Sequence, residues 1–436
     1  MSTVKDFINT DFRDFSMDDN VRSIPSVIDG LKESQRKAIY GMSTRGESAG
    51  LIKVSRAAGH IGKESDYHHG EKSMEGTIVK LAQDFAGSNN INLLEPEGQF
   101  GSRLSPEASA SRYIETKMSR HFRKVYKKED NLILQHQHSD GMEIEPNYYL
   151  PILPMVLVNG VHGIGTGYAS KIMLYNPTEL KNIMIKYLDK SVLPSTIIPW
   201  FKGFSGKVTR DESSVLTYGQ IDVINTTTLK ISELPIGMYL DKYKEHLNSL
   251  EDKGIIKSYD DNSTEESFDF QITVPRSTSK FTKTKLLSTF KLITKFGENY
   301  ALWNENDKIK IFNNPVEIVK YFTDFRLEKY EERRLALIEE MKIQLQWLSE
   351  KQKFIKYYLS DPLSFSKKAK DKLYADLEKE GFKHSDRLLK LPIYSLTKEE
   401  IVKLMNSIKT VKSDITRLTK TTAKSMFVDE LKDFKI

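Results

Sequence analysis

The apolar positions along this chain change period twice, and each change marks a different kind of architecture. From Met74 to Phe85 the residues Ile78, Leu81, Ala82 and Phe85 recur at helical spacing, which predicts an amphipathic helix. An earlier helix is predicted from about Glu33 to Met42. Two short helices followed by the Gly/Pro-marked, hairpin-like segment 96–106 predict a helix-turn-helix with a wing, inside a compact region that reaches residue 155. Beyond it, strand-like alternation takes over. Thr228-Leu229-Lys230-Ile231 and Lys308-Ile309-Lys310-Ile311-Phe312 are examples, with turn signals at Lys202-Gly203 and Asn304-Glu305-Asn306-Asp307. A mixed α/β insert is expected there.

The last third returns to the helical period. Pro315 suits a first helical turn, and no Gly or Pro follows it until Pro362. That leaves a helix of about 65–70 Å at 1.5 Å per residue. Ile338, Met341, Leu345, Leu348 and Ile355 repeat at spacings built from three and four, with Gln352 as a polar member. A second helix is predicted to start at Thr397, with Glu400 completing a capping box. It carries Ile401, Leu404, Ile408, Val411, Ile415 and Leu418 in unbroken register. Two such helices separated by about 35 residues predict an antiparallel coiled coil with a small domain at its tip; a plain structural helix pair has the same pattern.

Composition narrows the partners. The chain has 436 residues, enough for several domains. Its net charge is +6, and the distribution says more than the sum. Between Lys117 and Lys128 lie Arg120, His121, Arg123, Lys124 and Lys127 with no acidic residue among them. That cluster suits a polyphosphate, although a solvated basic face reads the same way. There is no cysteine, which excludes disulfides, thiolate metal sites and cysteine nucleophiles. The N-terminus carries Asp6, Asp11, Asp14, Asp18 and Asp19 and lacks the apolar core of a signal peptide. No apolar run approaches the roughly 18 residues of a membrane span. A soluble cytoplasmic protein without membrane contact is expected.

Candidate chemistry centres on Ser111-Arg112-Tyr113-Ile114. A phenol ionises near pH ~10, so a nucleophilic tyrosine needs its proton removed and positive charge nearby. Arg112 is adjacent. If residues 113–124 were helical, Lys117, Arg120 and Lys124 would share a face with Tyr113. Tyr67-His68-His69-Gly70 is a second cluster. Histidines of this kind bind metals or donate to phosphate, and no companion ligand pattern favours a metal. The segment Arg22 to Lys32 supplies two more cations and fits an ordinary surface turn equally well. Gly160, Gly163, Gly165 and Gly167 have neither P-loop nor dinucleotide spacing, which leaves a tight turn. Gly46-Glu47-Ser48-Ala49-Gly50 is read as a loop.

Taken in order, several motifs resemble the DNA breakage-reunion region of type IIA DNA topoisomerases. They are Tyr67-His68-His69-Gly70-Glu71, Ala86-Gly87-Ser88-Asn89-Asn90, Gly98-Gln99-Phe100-Gly101-Ser102-Arg103, Ser111-Arg112-Tyr113-Ile114, Tyr149-Leu150-Pro151, Pro199-Trp200-Phe201-Lys202-Gly203 and Tyr394-Ser395-Leu396-Thr397. The flavour is eukaryotic, in a chain that resembles the free-standing breakage-reunion subunits of phage members of the family. The resemblance implies an α+β multidomain fold. A winged-helix domain would span 1–155, a mixed α/β tower domain 156–314, and a long antiparallel coiled coil with a C-terminal gate 315–436.

The resemblance also implies roles. Tyr113 would be the nucleophile, forming a 5′-phosphotyrosine link, with Arg112, His69, Arg22 and Lys32 as catalytic partners. Ile164 would insert between base pairs, at a cost of a few kcal/mol per unstacked step, and the glycines around it would let the backbone approach DNA. His68, Lys63, Arg103, Lys117 and Arg120 are further DNA contacts expected. Glu33 replaces the family's usual proline, which affects a turn more than chemistry. Neither an ATPase domain nor the TOPRIM carboxylates are recognised, and no wrapping domain is expected after Ile436. The chain is therefore expected to pair with itself on double-stranded DNA and to need a partner subunit that holds ATP and Mg²⁺. Relaxation and decatenation are expected over supercoiling. A non-catalytic DNA-bending protein and a recombinase-like tyrosine transesterase are the alternatives.

Overall fold

The computed structural model describes residues 4–435 apart from 47, 212, 213, 362, 364 and 366. It divides into two compact units: 1–130, 134–326 and 431–436 in the first, and 131–133 with 327–430 in the second.

In the first unit, helices α1 (Val4–Asn9) and α2 (Asp11–Ser23) form an N-terminal arm. A three-helix core follows, α3 (Glu33–Thr44), α4 (Val54–Ser65) and α5 (Glu71–Ala82). Met42 and Ile39 of α3, Ala57, Ala58 and Ile61 of α4, and Met74 and Ile78 of α5 are buried. Gly41 is required at the α3–α4 crossing, since a Cβ there would sit 2.7 Å from the Ile61 backbone. The short strands β1 (Ile52–Lys53), β2 (Leu94–Glu97) and β3 (Glu115–Met118) pair in the order β1-β3-β2. Three helices and a small antiparallel sheet make a winged helix. Its helix α5 starts three residues before the predicted Met74, and α4 lies where no helix is predicted: its buried stripe of Val54, Ala57, Ala58 and Ile61 is made largely of small residues, and Gly59 and Gly62 on the other side lower its helix propensity.

Behind the wing come α6 (Phe122–Val125), the hairpin β4–β5 (His136–Ser139, Met142–Pro146) and α7 (Met155–Val158). Strands β6 (Val161–Ile164) and β7 (Ala169–Ile172) are joined by α8 (Pro177–Leu188), β8 (Lys207–Arg210) and β9 (Ser214–Tyr218) to the mixed region. There β10 (Gln220–Asn225), β11 (Thr228–Glu233), α9 (Leu240–Asp252), β12 (Ser258–Asp261) and β13 (Phe270–Thr273) build one sheet and its covering helix. Its order is β10-β11-β13-β12, and the apolar alternation of β11 buries Leu229 and Ile231 against Tyr243, Leu247 and Phe270. Short α10 (Arg276–Ser279) and α11 (Lys283–Thr289) precede β14 (Ile293–Gly297), which pairs with β9. Finally β15 (Asn299–Trp303) and β16 (Ile309–Phe312) extend the β6–β7 hairpin into a sheet of order β16-β15-β7-β6.

Helix α12 (Pro315–Ser360) ends two residues before Pro362, as the breaker pattern predicts. In the second unit its later part faces α15 (Lys398–Lys420). Arg334 donates to the Leu418 carbonyl at 3.2 Å and Lys351 to Glu400 at 2.9 Å. As residue numbers rise along α12 they fall along α15, so the pair is antiparallel. The Thr397 hydroxyl caps α15 by accepting from the Glu400 amide at 3.2 Å. Between the helices, α13 (Lys370–Lys379) and α14 (Ser385–Leu389) fold over a small core of Phe354, Leu377, Phe382 and Leu388. Helix α16 (Ala423–Asp433) stacks Phe427 on Tyr330 at 4.4 Å between ring centroids, and Tyr330 and Arg333 both donate to Glu430. Among the described residues no helix is long and apolar enough to cross a membrane.

Candidate active site

Tyr113 sits at the end of the loop between β2 and β3, and that loop is held along its whole length. Gly98 and Gly101 both adopt positive φ, and a Cβ on Gly101 would meet the Pro106 carbonyl at 2.6 Å. The Gln83 amide spans the loop, donating to the Phe100 and Pro106 carbonyls at 2.8 and 2.9 Å. The Ser109 amide closes it on Gln99 at 2.9 Å. On the near side of the tyrosine, the Ser111 carbonyl accepts from the Ser55 amide at 3.3 Å and its hydroxyl donates to Glu75 at 2.6 Å. On the far side, Ile114 is buried and its carbonyl accepts from Val54 at 3.0 Å. Between these anchors the phenol of Tyr113 projects to solvent, 69% exposed, with the Arg112 guanidinium 4.8 Å from its ring centroid. An exposed tyrosine on a rigid turn, stacked by a cation, is presented outward and not packed.

The conditional helix 113–124 does not form. Glu115–Met118 is a strand paired with Leu94–Glu97, and only Phe122–Val125 is helical. The long-range pairing of the wing overrides the local pattern, so Lys117, Arg120 and Lys124 do not share a helical face with Tyr113. Instead Lys117 pairs with Glu95 at 3.2 Å, and the Arg120 amide donates to the same carboxylate at 3.1 Å. The Arg120 side chain remains exposed on the flank of the wing.

Arg103 requires a correction. It is not a surface DNA contact: it is buried, with its guanidinium 3.3 Å from Glu233 and bonded to the carbonyls of Leu234 and Met238 at 2.6 and 3.1 Å. Burial lowers its pKa, and Glu233 and Tyr239 only partly oppose that. Its two terminal amino groups are spent inside the protein, tying the tyrosine-bearing loop to β11.

A second group of candidates gathers around the β6–β7 hairpin. Asp29 is fully buried and accepts from the Leu31 and Tyr149 amides and from Arg36 at 3.0, 3.1 and 2.8 Å. Gly30, at φ +71°, has no room for a Cβ, which would lie 2.4 Å from the Val156 amide. The segment is thus a rigid turn that delivers Lys32, whose ammonium donates to the His162 carbonyl at 2.9 Å. Burial and then the neighbouring Lys80 hold the Lys32 pKa below its ordinary value. Lys80, on α5, is a residue that sequence reasoning does not single out; its only signal is a cation on the solvent side of a predicted helix.

Ile164 ends β6 and is 69% exposed. The glycines beside it have a reason within the chain itself. A Cβ on Gly163 would lie 2.0 Å from the Ser23 carbonyl, and one on Gly165 2.2 Å from Asn20 Oδ1. They admit the last turn of α2, which ends beside Arg22, and so bring this chain's own backbone close. Asn20 fixes the contact by donating to the Thr166 carbonyl at 3.1 Å, and the Thr166 hydroxyl donates to Asp19 at 2.7 Å.

His69 precedes α5 and packs edge-on against Tyr67, with centroids 5.4 Å apart. His68 lies 3.5 Å from Asp66, which has positive φ and also accepts from Ser139. Lys63 is exposed near the end of α4. Unanticipated is the stripe it completes: Lys53, Arg56, His60 and Lys63 recur at spacings of three and four on the side of α4 opposite its buried Ala57, Ala58 and Ile61. Among the described residues, no hydrogen bond or ring contact joins Tyr113 to His69, Arg22 or Lys32. Nor, among them, do three or more His, Asp or Glu residues gather where a metal ion would be held.

Known proteins share this arrangement. The family model for the A subunit of DNA gyrase/topoisomerase IV matches residues 22–432. The mitochondrial DNA topoisomerase 2 of Dictyostelium discoideum is 35% identical over 450 residues, covering 99% of this chain and 35% of that protein. DNA topoisomerase 2 of Plasmodium falciparum is 35% identical over 473 residues, covering 98% of this chain and 34% of its own length. The corresponding yeast protein, from Saccharomyces cerevisiae, is 36% identical over 421 residues, with coverage of 94% and 29%. The chain thus spans about a third of the length of these relatives. A crystal structure of the Plasmodium falciparum topoisomerase II DNA-binding, cleavage and re-ligation domain superposes with a TM-score of 0.93 at 35% identity, covering 98% of this chain and 63% of that one.

Proposed function

The chain belongs to the type IIA DNA topoisomerases, in the family of the gyrase and topoisomerase IV breakage-reunion chains, and from that membership we propose that it cleaves and rejoins DNA through Tyr113. The observation that carries this reading is the exposed phenol on a turn anchored at Ser111 and Ile114, with Arg112 over its ring. The phenolic oxygen attacks the phosphorus of one phosphodiester. The new bond is a 5′-phosphotyrosine, the bond broken is that to the 3′-oxygen, the phenol proton goes to solvent or a base, and the leaving 3′-oxygen gains a proton. Bond energy is kept, so the reverse attack rejoins the strand without ATP. Such transfer depends on positioning and on stabilising charge at the phosphoryl oxygens. Arg112 supplies that charge beside the nucleophile, and His69, Arg22, Lys32 and Lys80 complete the set. Two copies acting together cut both strands, so that a second duplex passes.

Ile164 inserts into the duplex from the β6–β7 hairpin. Lys53, Arg56, His60 and Lys63 line α4 for the groove beside the cut, with His68, Lys117 and Arg120 as further phosphate contacts. Residues 1–155 act as the winged-helix domain, 156–314 as the tower and 315–436 as the coiled coil with its gate. The family uses Mg²⁺ and ATP. The residues of this chain do not fit Mg²⁺ by themselves, since among the described residues no three candidate ligands gather and the carboxylate bonded to the tyrosine turn, Glu75, is taken by Ser111 and Lys72. A partner carrying ATPase and TOPRIM domains holds both, in a cytoplasmic complex.

The test mixes the chain with a TOPRIM- and ATPase-bearing topoisomerase subunit from the same source, Mg²⁺, ATP and supercoiled plasmid, and traps with denaturant. Linear DNA with protein on its 5′ ends is expected, absent with Tyr113→Phe. A trapped product that survives this substitution would assign the nucleophile elsewhere, and a plasmid left unrelaxed by the complete mixture would defeat strand passage.

A further inference from the structure

Asp66 breaks two local rules at the end of α4. It takes up a left-handed conformation, φ +51°, where glycine is the ordinary residue and a Cβ is strained. It also sets a carboxylate beside the last carbonyls of the helix, at the negative end of the helix dipole. Neither choice helps α4 itself, and departures of this kind mark positions held for another purpose. The purpose lies in what the side chain holds. The Ser139 hydroxyl donates to it at 2.5 Å, and His68 lies 3.5 Å away. Ser139 is at the tip of the β4–β5 hairpin. It faces Met142 across a two-residue turn in which Asp140 (φ +48°) and Gly141 (φ +80°) are both left-handed.

The same hairpin is fixed along β5. Glu145 lies 2.8 Å from the buried Lys37 ammonium, which also donates to the Ser65 carbonyl at 2.8 Å. Tyr40 donates to the Glu143 carbonyl at 3.1 Å. Helix α3 and the hairpin thus grip the last residues of α4 together, Lys37 at Ser65 and Ser139 at Asp66. Directly after this anchored end the chain runs exposed through His68, His69 and Gly70 to α5. We propose that Asp66 is a positioning residue for the cleavage reaction: its bond to Ser139 sets the direction in which the loop leaves α4, and so where the His69 imidazole meets the scissile phosphate. This rests on the role proposed above for His69. It adds the tip of the β4–β5 hairpin, which carries none of the cations of the site, to the parts that govern the rate.

The experiment takes the full chain with the TOPRIM- and ATPase-bearing subunit, Mg²⁺ and supercoiled plasmid, and follows the rate at which the trapped cleavage product forms. Asp66→Gly and Ser139→Ala should each slow it about tenfold, short of the ~100-fold that a 1 Å misplacement can cost. Duplex affinity and circular dichroism should stay at the parent values. The double variant should be no slower than either single one, since both remove the same bond. Asp66→Asn keeps an acceptor and tolerates the left-handed turn, and should restore the rate. The ring-proton NMR signal of His69, which feels the edge-on Tyr67 ring 5.4 Å away, should shift in both single variants and return in Asp66→Asn. A parent rate or an unmoved His69 signal in Asp66→Gly or Ser139→Ala would overturn the proposal. So would a slow Asp66→Asn, or a rate loss matched by a loss of duplex affinity or of circular dichroism, since the aspartate would then serve the DNA grip or the fold. Failure of the underlying reading looks different: the unaltered chain and partner would form no trapped cleavage product.

Discussion

The Ser111 hydroxyl donates to Glu75 at 2.6 Å, two residues before the exposed phenol of Tyr113. Burial acts to raise the Glu75 pKa, but the bonds from Ser111 and Lys72 outweigh it and hold the group below its ordinary value of 4.5. The lock is therefore complete above that value and is lost as pH falls through the lower folded one. Ser111→Ala should slow formation of the trapped complex about tenfold, the equivalent of ~1.4 kcal/mol, with duplex affinity unchanged and Ser111→Thr restoring the rate. An equal loss in affinity would show that the pair serves DNA binding instead of placing the nucleophile.

Lys32 predicts an alkaline limit. Its charged form is disfavoured by burial and by Lys80, so its folded pKa lies below 10.5. The cation is complete well below that folded value and is lost as pH rises through it, earlier than for an exposed lysine. Duplex affinity followed by fluorescence anisotropy as the pH is raised toward 10.5 should fall, and fall before an exposed lysine would lose its proton. Lys80→Gln should move that fall to higher pH, and Lys32→Arg should remove it. A profile indifferent to both substitutions would take Lys32 out of the DNA contact.

Gly163 and Gly62 separate crowding from simple flexibility. Alanine at 163 places a Cβ 2.0 Å from a backbone oxygen of Ser23, whereas at 62 nothing lies within 4 Å. Gly163→Ala should cost about 1–3 kcal/mol in chemical denaturation. Gly62→Ala, inside α4, should be neutral or stabilising by up to ~1 kcal/mol.

Arg103 offers a test of its reassignment. Arg103→Met leaves Glu233 buried without its cation and should destabilise the fold by about 3–5 kcal/mol. At temperatures where the variant is folded, the slope of log affinity against log salt should not change. Arg56→Ala, which removes an exposed cation of α4, should flatten that slope by about 0.9 if it meets one phosphate of B-form DNA.

Where one period runs uninterrupted, the sequence was enough. Thr397 and the heptad from Ile401 to Leu418 located α15, and the absence of breakers between Pro315 and Pro362 located α12. Helix α4 was illegible because its stripe rests on the small residues Ala57 and Ala58 and its outer side holds Gly59 and Gly62. The strand Glu115–Met118 was illegible because it exists only through its partners at Leu94–Glu97 and Ile52–Lys53, which local spacing does not reveal. Tyr113, Arg112, Lys32 and Ile164 stood out by motif, and the fold places all four with rigid backbone beneath them. Arg103 shows the opposite limit: an arginine beside a turn reads as surface until the distant Glu233 is known to face it.

The β6–β7 hairpin is backed directly by the last turn of α2. Ser23 abuts Gly163, Asn20 abuts Gly165, and neither glycine has a side chain that could rearrange. In the proposed reaction, when the Ile164 side chain meets a base step, the hairpin does not recoil. The duplex is the softer body of the two, so the deformation goes into the DNA, and how readily a given step unstacks becomes part of which sequences are cut.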